Sequence, residues 1–179
     1  MRLKSYIYKL NGNTMDELTH FSKDGRARMV DVSDKQETMR VAIASGVIRM
    51  QLATLEKVRA GTIAKGNVLA VADVAAVMAA KRTPEMIPMC HSLPLTGVEI
   101  SFAEILQADA SGCVGICVVA TTKCVGQTGV EMEALCAAST ALLTIYDMCK
   151  AMDRGMRIEN VQLEEKRGGK SGIWRRGEA

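Results

Sequence analysis

An aspartate and a lysine three residues apart, Asp147 and Lys150, stand near the end of an otherwise uncharged segment. On a helix that spacing puts both on one face, where the ordinary reading is a surface ion pair worth little. At the mouth of a buried helix the same two groups would have shifted pKa values and could trade protons with a substrate. Lys65, in Ala64-Lys65-Gly66, precedes a predicted helix start. A lysine there is either solvated or part of an anion site. His91 lies in the proline-fixed Pro88-Met89-Cys90-His91, either as a hydrogen-bonded structural residue or as a catalyst. Lys166-Arg167-Gly168-Gly169-Lys170-Ser171-Gly172 collects cations and glycines, but it is no Walker motif. Glu164 stands where the first glycine is needed, and no helix is predicted to follow. Together these groups fit an acid–base enzyme acting on a phosphorylated small molecule.

The stretch that must position the pair runs from Gly129 to Gly155, with apolar or small residues at nearly every position and no charge between Glu133 and Asp147. It predicts one long helix, closed by Gly155 and buried all round in a core or a subunit contact. It is too short to span a membrane. Glu131 and Glu133 in its first turn complement the helix dipole. Glu133 and Asp147 fall on nearly the same side but roughly 21 Å apart along the axis. One small site cannot use both, so the site is shared between subunits or the ligand is long.

Around that helix, Met39 to Gln51 predicts a strand apolar on both sides, with Arg40 the exception. A helix over Leu52 to Ala60 comes next. A stronger one over Asn67 to Arg82 follows, capped by Asn67, with Val71, Val74, Ala75 and Met78 as its apolar stripe. Thr83 to Pro94 holds all three prolines and reads as a rigid connector. Strands are predicted over Val98 to Leu106, Cys113 to Cys124 and Met156 to Lys166, the last with a bulge near Asn160. Setting the Asn67 helix aside, the order is strand, helix, strand, strand, helix, strand. That predicts an α+β fold: a ferredoxin-like antiparallel sheet with helices on one face, an extra helix inserted, and an oligomer burying the other face. Residues 1–28 are expected to be a flexible segment, 29–166 a single catalytic domain, and 167–179 a glycine-rich basic tail.

A chain of 179 residues suits one well-cored domain. Aromatics are only 3% against 12 methionines, so the core must be aliphatic and adaptable. A formal charge of +3, without interleaved aromatic and basic residues, argues against nucleic-acid binding. Six cysteines without paired spacing and two histidines support neither a metal site nor a disulfide framework. No export signal opens the chain, and reduced thiols point to the cytoplasm.

With these residues in view, the chain resembles the MoaC family of molybdenum cofactor biosynthesis. The matching stretches are MVDVSDKQETMR, AKGNVLAVADVAAVMAAKRT, IPMCHSLPL, GQTGVEMEALCAASTALLTIYDMCKA and the GGKSG tail, spanning Met29 to Gly172. The resemblance implies a lyase converting (8S)-3′,8-cyclo-7,8-dihydroguanosine 5′-triphosphate into cyclic pyranopterin monophosphate with loss of pyrophosphate. It also implies a homohexamer, a trimer of dimers, with sites at subunit contacts. No cofactor is expected. On this chain it makes Asp147 the catalytic carboxylate, with Lys150 its acid–base partner and Lys65 the second functional lysine. Met89, Cys90 and His91 become one wall of the substrate site, and Met132 with Glu133 another. Arg40, Lys81, Lys166 and Lys170 become the cations that hold the triphosphate. Met89 stands where leucine is frequent in the family. The alternative is a non-catalytic hexamer that binds a nucleotide for regulation.

Overall fold

The computed structural model describes residues 29–178, so the expected flexible segment over 1–28 lies outside the described residues. In chain order the elements are β1 (Thr38–Met50), α1 (Leu52–Arg59), α2 (Val68–Lys81), α3 (Thr83–Met86), β2 (Leu95–Ile105), β3 (Val114–Gly126), α4 (Glu131–Cys149), β4 (Arg157–Arg167) and β5 (Trp174–Arg175). The strands form one open antiparallel sheet in the order β2-β3-β1-β4-β5. With its four helices this is an α+β fold.

Alternation along β1 decides which face is the core. Ala42, Ala44, Ile48 and Met50 are fully buried, while Val41, Ile43 and Val47 between them are only half-buried. Register extends that face across the sheet. Ala44 lies opposite Ala120 and Ile48 opposite Ile116 on β3, and Ile100 of β2 in turn lies opposite Ala120. α4 packs on this face over β1, β3 and β4, and α2 packs against α4 and β2. Burial is thus on one side of the sheet within the chain. The opposite face mixes apolar residues with polar pairs, such as Arg49 with Glu159 at 2.9 Å.

Asn67 caps α2 as expected, its side chain accepting from the Ala70 N–H at 3.1 Å. The stripe on that helix is a different one, however. Val68, Ala72, Ala76, Ala79 and Ala80 are buried, whereas Val71, Val74 and Met78 are exposed. Alanines lie inside because α2 and α4 approach closely, and α4 answers with Ala134, Ala137, Ala138 and Ala141. Within the chain α4 is not buried all round. Leu143 is 59% exposed, and Asp147 and Lys150 share its open side. Gly155 is no C-cap, since the helix ends at Cys149 and Lys150 takes the cap position in the right-handed region.

The bulge near Asn160 is present. Val47 pairs with Glu159 and Ser45 with Gln162, and Asn160 turns to a φ of 54°. A second irregularity lies between Ile43 and Ala44, which pair with Glu165 and Leu163. β5 was not foreseen. It hydrogen-bonds the tail back to β4 through Lys166 and Trp174.

Candidate active site

At the start of α4, two cavities adjoin. One, of about 340 Å³, is lined by Val30, Met89, Cys90, His91, Met132 and Glu133 among others. Its histidine loop is set by the single turn of α3, entered through Pro84, after which Cys90 N–H bonds to the Ile87 carbonyl at 3.0 Å. His91 Nε2 lies 2.8 Å from the Val30 carbonyl. A carbonyl only accepts, so Nε2 carries the hydrogen and the ring pins Val30 across the cavity. Glu133 is almost fully buried there, and burial pushes its carboxyl pKa up, with Glu131 nearby adding to the shift. The same burial raises the Cys90 thiol.

The second cavity, of about 610 Å³, is basic: Lys35, Arg40, Lys166, Arg167 and Lys170 line it, together with Gly168 and Gly169. Arg40 is braced by the carbonyls of Gly126 and Gln127, both at 3.2 Å. The tail glycines are there for closeness. Both have positive φ, and a Cβ on Gly169 would overlap the Arg40 guanidinium, while one on Gly168 would overlap the Met39 carbonyl. Lys166 reaches Ser171 within the same turn. The two cavities share Lys35, Thr128, Gly129 and Glu131. Lys35 was missed in the sequence, where it looks like one more charge in the polar SDKQE run.

The third group stands at the other end of α4. Asp147 is held between two ammonium groups, Lys150 Nζ at 2.6 Å from Oδ1 and Lys65 Nζ at 2.8 Å from Oδ2. Lys65 also donates to the Asp147 carbonyl at 2.8 Å. All three side chains, with Tyr146, Ala151 and Arg154, line an open depression of about 420 Å³. The hydrogen bonds from Lys150 and Lys65 hold the Asp147 carboxyl at a pKa of about 2. Donating to Asp147 in turn raises Lys150. Burial at the mouth of a helix would lower a lysine; at 52% and 56% exposure for the two side chains, desolvation loses to the ion pair.

α4 runs unbroken from Glu131 to Cys149, so the Glu133 and Asp147 ends are roughly 21 Å apart. Within one chain the structure joins Met89, Cys90, His91, Met132 and Glu133 to the cavity of Arg40, Lys166 and Lys170. It joins Lys65 to Asp147 and Lys150. It does not bring these two groups together. Lys65 precedes α2 and meets the end of α4, so α2 runs back along α4 and carries Lys81 toward the Glu133 end. There Lys81 is exposed and lines neither cavity.

Residues 29–169 match the model of the MoaC family. The chain belongs to the MoaC family. Curated MoaC-type relatives agree along nearly their whole length. The chain is 58% identical over 164 residues to the cyclic pyranopterin monophosphate synthase of Limosilactobacillus fermentum, covering 92% of this chain and 96% of the relative. With the synthase of Brevibacillus brevis the identity is 56% over 163 residues, 91% and 98% of the two chains. With that of Listeria monocytogenes it is 55% over 160 residues, 89% and 96%. Among the described residues of this MoaC family member, no helix is long and apolar enough to cross a membrane. All six cysteines are free thiols.

Proposed function

We propose that the protein is a cyclic pyranopterin monophosphate synthase of molybdenum cofactor biosynthesis. It takes (8S)-3′,8-cyclo-7,8-dihydroguanosine 5′-triphosphate, releases pyrophosphate and closes the cyclic phosphate, acting as a lyase by acid–base catalysis. The observation that carries the chemistry is Asp147 held between Lys65 and Lys150 in an open depression. In the resting site the aspartate is ionised and Lys150 is an ammonium, so Lys150 is the ready proton donor. Arg40, Lys166 and Lys170 supply the positive field that a triphosphate and a departing pyrophosphate need. Lys81, exposed on the Glu133 end of α2 and outside both cavities, is assigned to the triphosphate on the family resemblance alone.

A complete site then needs both ends of α4, and two copies of the chain provide them. The strand order β2-β3-β1-β4 with helices packed over one face supports a ferredoxin-like subunit. The exposed Val71, Val74 and Met78 and the half-buried outer sheet face support a homohexamer built as a trimer of dimers. Residues 29–166 form the catalytic domain and 167–179 the tail that folds over phosphate. The enzyme works in the cytoplasm, and its chemistry uses no cofactor. The basic cavity by itself also suits a regulatory hexamer that grips a nucleotide without changing it. Incubation with the cyclic triphosphate and mass analysis decides between them: the enzyme yields cyclic pyranopterin monophosphate and pyrophosphate, the regulator returns the nucleotide intact.

A further inference from the structure

The turn after α4 is built with more care than a connector needs. Asp153 is 3% exposed, and its carboxylate accepts from the Gln51 N–H at 2.8 Å, the Thr54 hydroxyl at 3.3 Å and the Gly155 N–H at 3.2 Å. Those bonds tie the turn to the start of α1. From the other side the Tyr146 hydroxyl donates to the Arg154 carbonyl at 3.2 Å. The backbone of Arg154 is therefore fixed between two anchors, and the residue lines the Asp147 depression.

That side chain is also chemically unassigned. Arg49, Arg59, Arg157, Arg167, Arg175 and Arg176 each have a carboxylate partner, and Arg40 is held by carbonyls. Among the described residues only Arg82 and Arg154 have neither, and of those two only Arg154 lines a depression. In that depression Lys65 and Lys150 are already committed to Asp147. Among the described residues lining the depression, the guanidinium is thus the cation without a carboxylate partner, and its planar fork matches two oxygens of a phosphate.

We propose that Arg154 binds the phosphate group of the substrate that stays in the product. The assignment rests on the synthase reading above. It separates two anion sites: the basic cavity at the start of α4 grips the part that leaves, and Arg154 grips the part that remains beside the acid–base groups. Arg154 is a binding residue, and Tyr146 and Asp153 position it.

The test compares calorimetric affinities for the cyclic triphosphate substrate and for cyclic pyranopterin monophosphate. The proteins are the full-length wild type, Arg154→Ala, Arg154→Lys and Arg59→Ala. Arg154→Ala is expected to weaken both ligands by the same factor, about tenfold to a hundredfold, the worth of one charge-assisted pair of hydrogen bonds. Arg154→Lys restores part of it, because a point charge replaces the fork. Arg59→Ala removes one positive charge from an exposed pair with Glu104 that lines none of the three cavities, and leaves both affinities unchanged. Product affinity in Arg154→Ala equal to wild type overturns the proposal, as does loss of substrate affinity alone. A wild type that neither binds nor converts the triphosphate overturns the synthase reading and this assignment with it. Normal wild-type turnover with an unaltered Arg154→Ala overturns this assignment only.

Discussion

Lys65 donates to Asp147 twice, to the carboxylate and to the backbone carbonyl, each at 2.8 Å. The second bond ties the lysine to the last turns of α4 as well as to the acid. Neutralising the carboxylate therefore leaves Lys65 near its place, and Asp147→Asn separates charge from position. Turnover is expected to fall by at least about a hundredfold, the lower range for a lost acid–base group, while the thermal midpoint stays within a few degrees. Melting curves and single-turnover rates on the variant check both halves.

The charge state of the pair sets a pH signature. Asp147 is depressed from 3.8 to about 2, so it favours the folded state above its ordinary value and loses that contribution as pH falls toward 2. Lys150 is raised above 10.5, so its contribution is full below that value and fades only as pH climbs through the raised one. From about pH 5 to about pH 9 neither group changes charge in the free enzyme. Carbon NMR of the Asp147 carboxyl should titrate near 2 and move upward in Lys150→Ala. A midpoint at 3.8 in the wild type would contradict the paired geometry.

Two lysines should fail differently. Lys150→Ala is expected to abolish the chemical step with substrate affinity held within roughly tenfold, about 1.4 kcal/mol. Lys170 lines the basic cavity and is exposed. Lys170→Ala should weaken the triphosphate more than the monophosphate product. Saturated turnover of Lys150→Ala at the wild-type rate would return that pair to the status of a surface salt bridge.

Gly168 and Gly169 should also differ. At either position alanine is forced into a left-handed conformation costing about 1–2 kcal/mol. At Gly169 the added carbon meets the Arg40 side chain, which can move; at Gly168 it meets the Met39 carbonyl, which cannot. Gly169→Ala is expected to weaken triphosphate binding with a small loss of stability, and Gly168→Ala to cost more stability. Denaturant midpoints and substrate titrations on both variants give the ranking.

Assembly can be tested on α2. Val74 is 65% exposed between Val71 and Met78. Val74→Glu should shift the protein toward smaller species in sedimentation at micromolar concentration. A wild type that sediments as a stable folded monomer would sink the oligomer altogether.

Much of the fold was readable because the local signals were strong. The strand β1, the Asn67 cap and the bulge at Asn160 all follow from patterns within a few residues of one another. The stripe on α2 was misread because valine and methionine outweigh alanine on any hydropathy scale. Close helix contact reverses that order, since what matters there is size. Within the candidate site, Asp147 and Lys150 announce themselves by a spacing of three. The ion pair of Lys65 with Asp147 links residues 82 apart, and no local pattern carries such a contact. Lys35 hid for the opposite reason, as one charge among many.

The seam between α2 and α4, with the sheet beneath it, is lined by Ala42, Ala44, Ala72, Ala76, Ala80, Ala120, Ala134, Ala137, Ala138 and Ala141, none more than 1% exposed. An interior of this kind can be altered in essentially one direction. There is no methylene left to remove short of glycine, which costs a helix about 1 kcal/mol. Every other replacement adds volume, and extra volume in a packed core costs typically 1–3 kcal/mol. Even the gap in the alanine row behaves this way, for a side chain at Gly46 would come within 2.6 Å of Leu142 Cδ1. Saturation mutagenesis of these positions should thus return a map with almost no neutral entries, and drift in this protein must run through its surface and its sites.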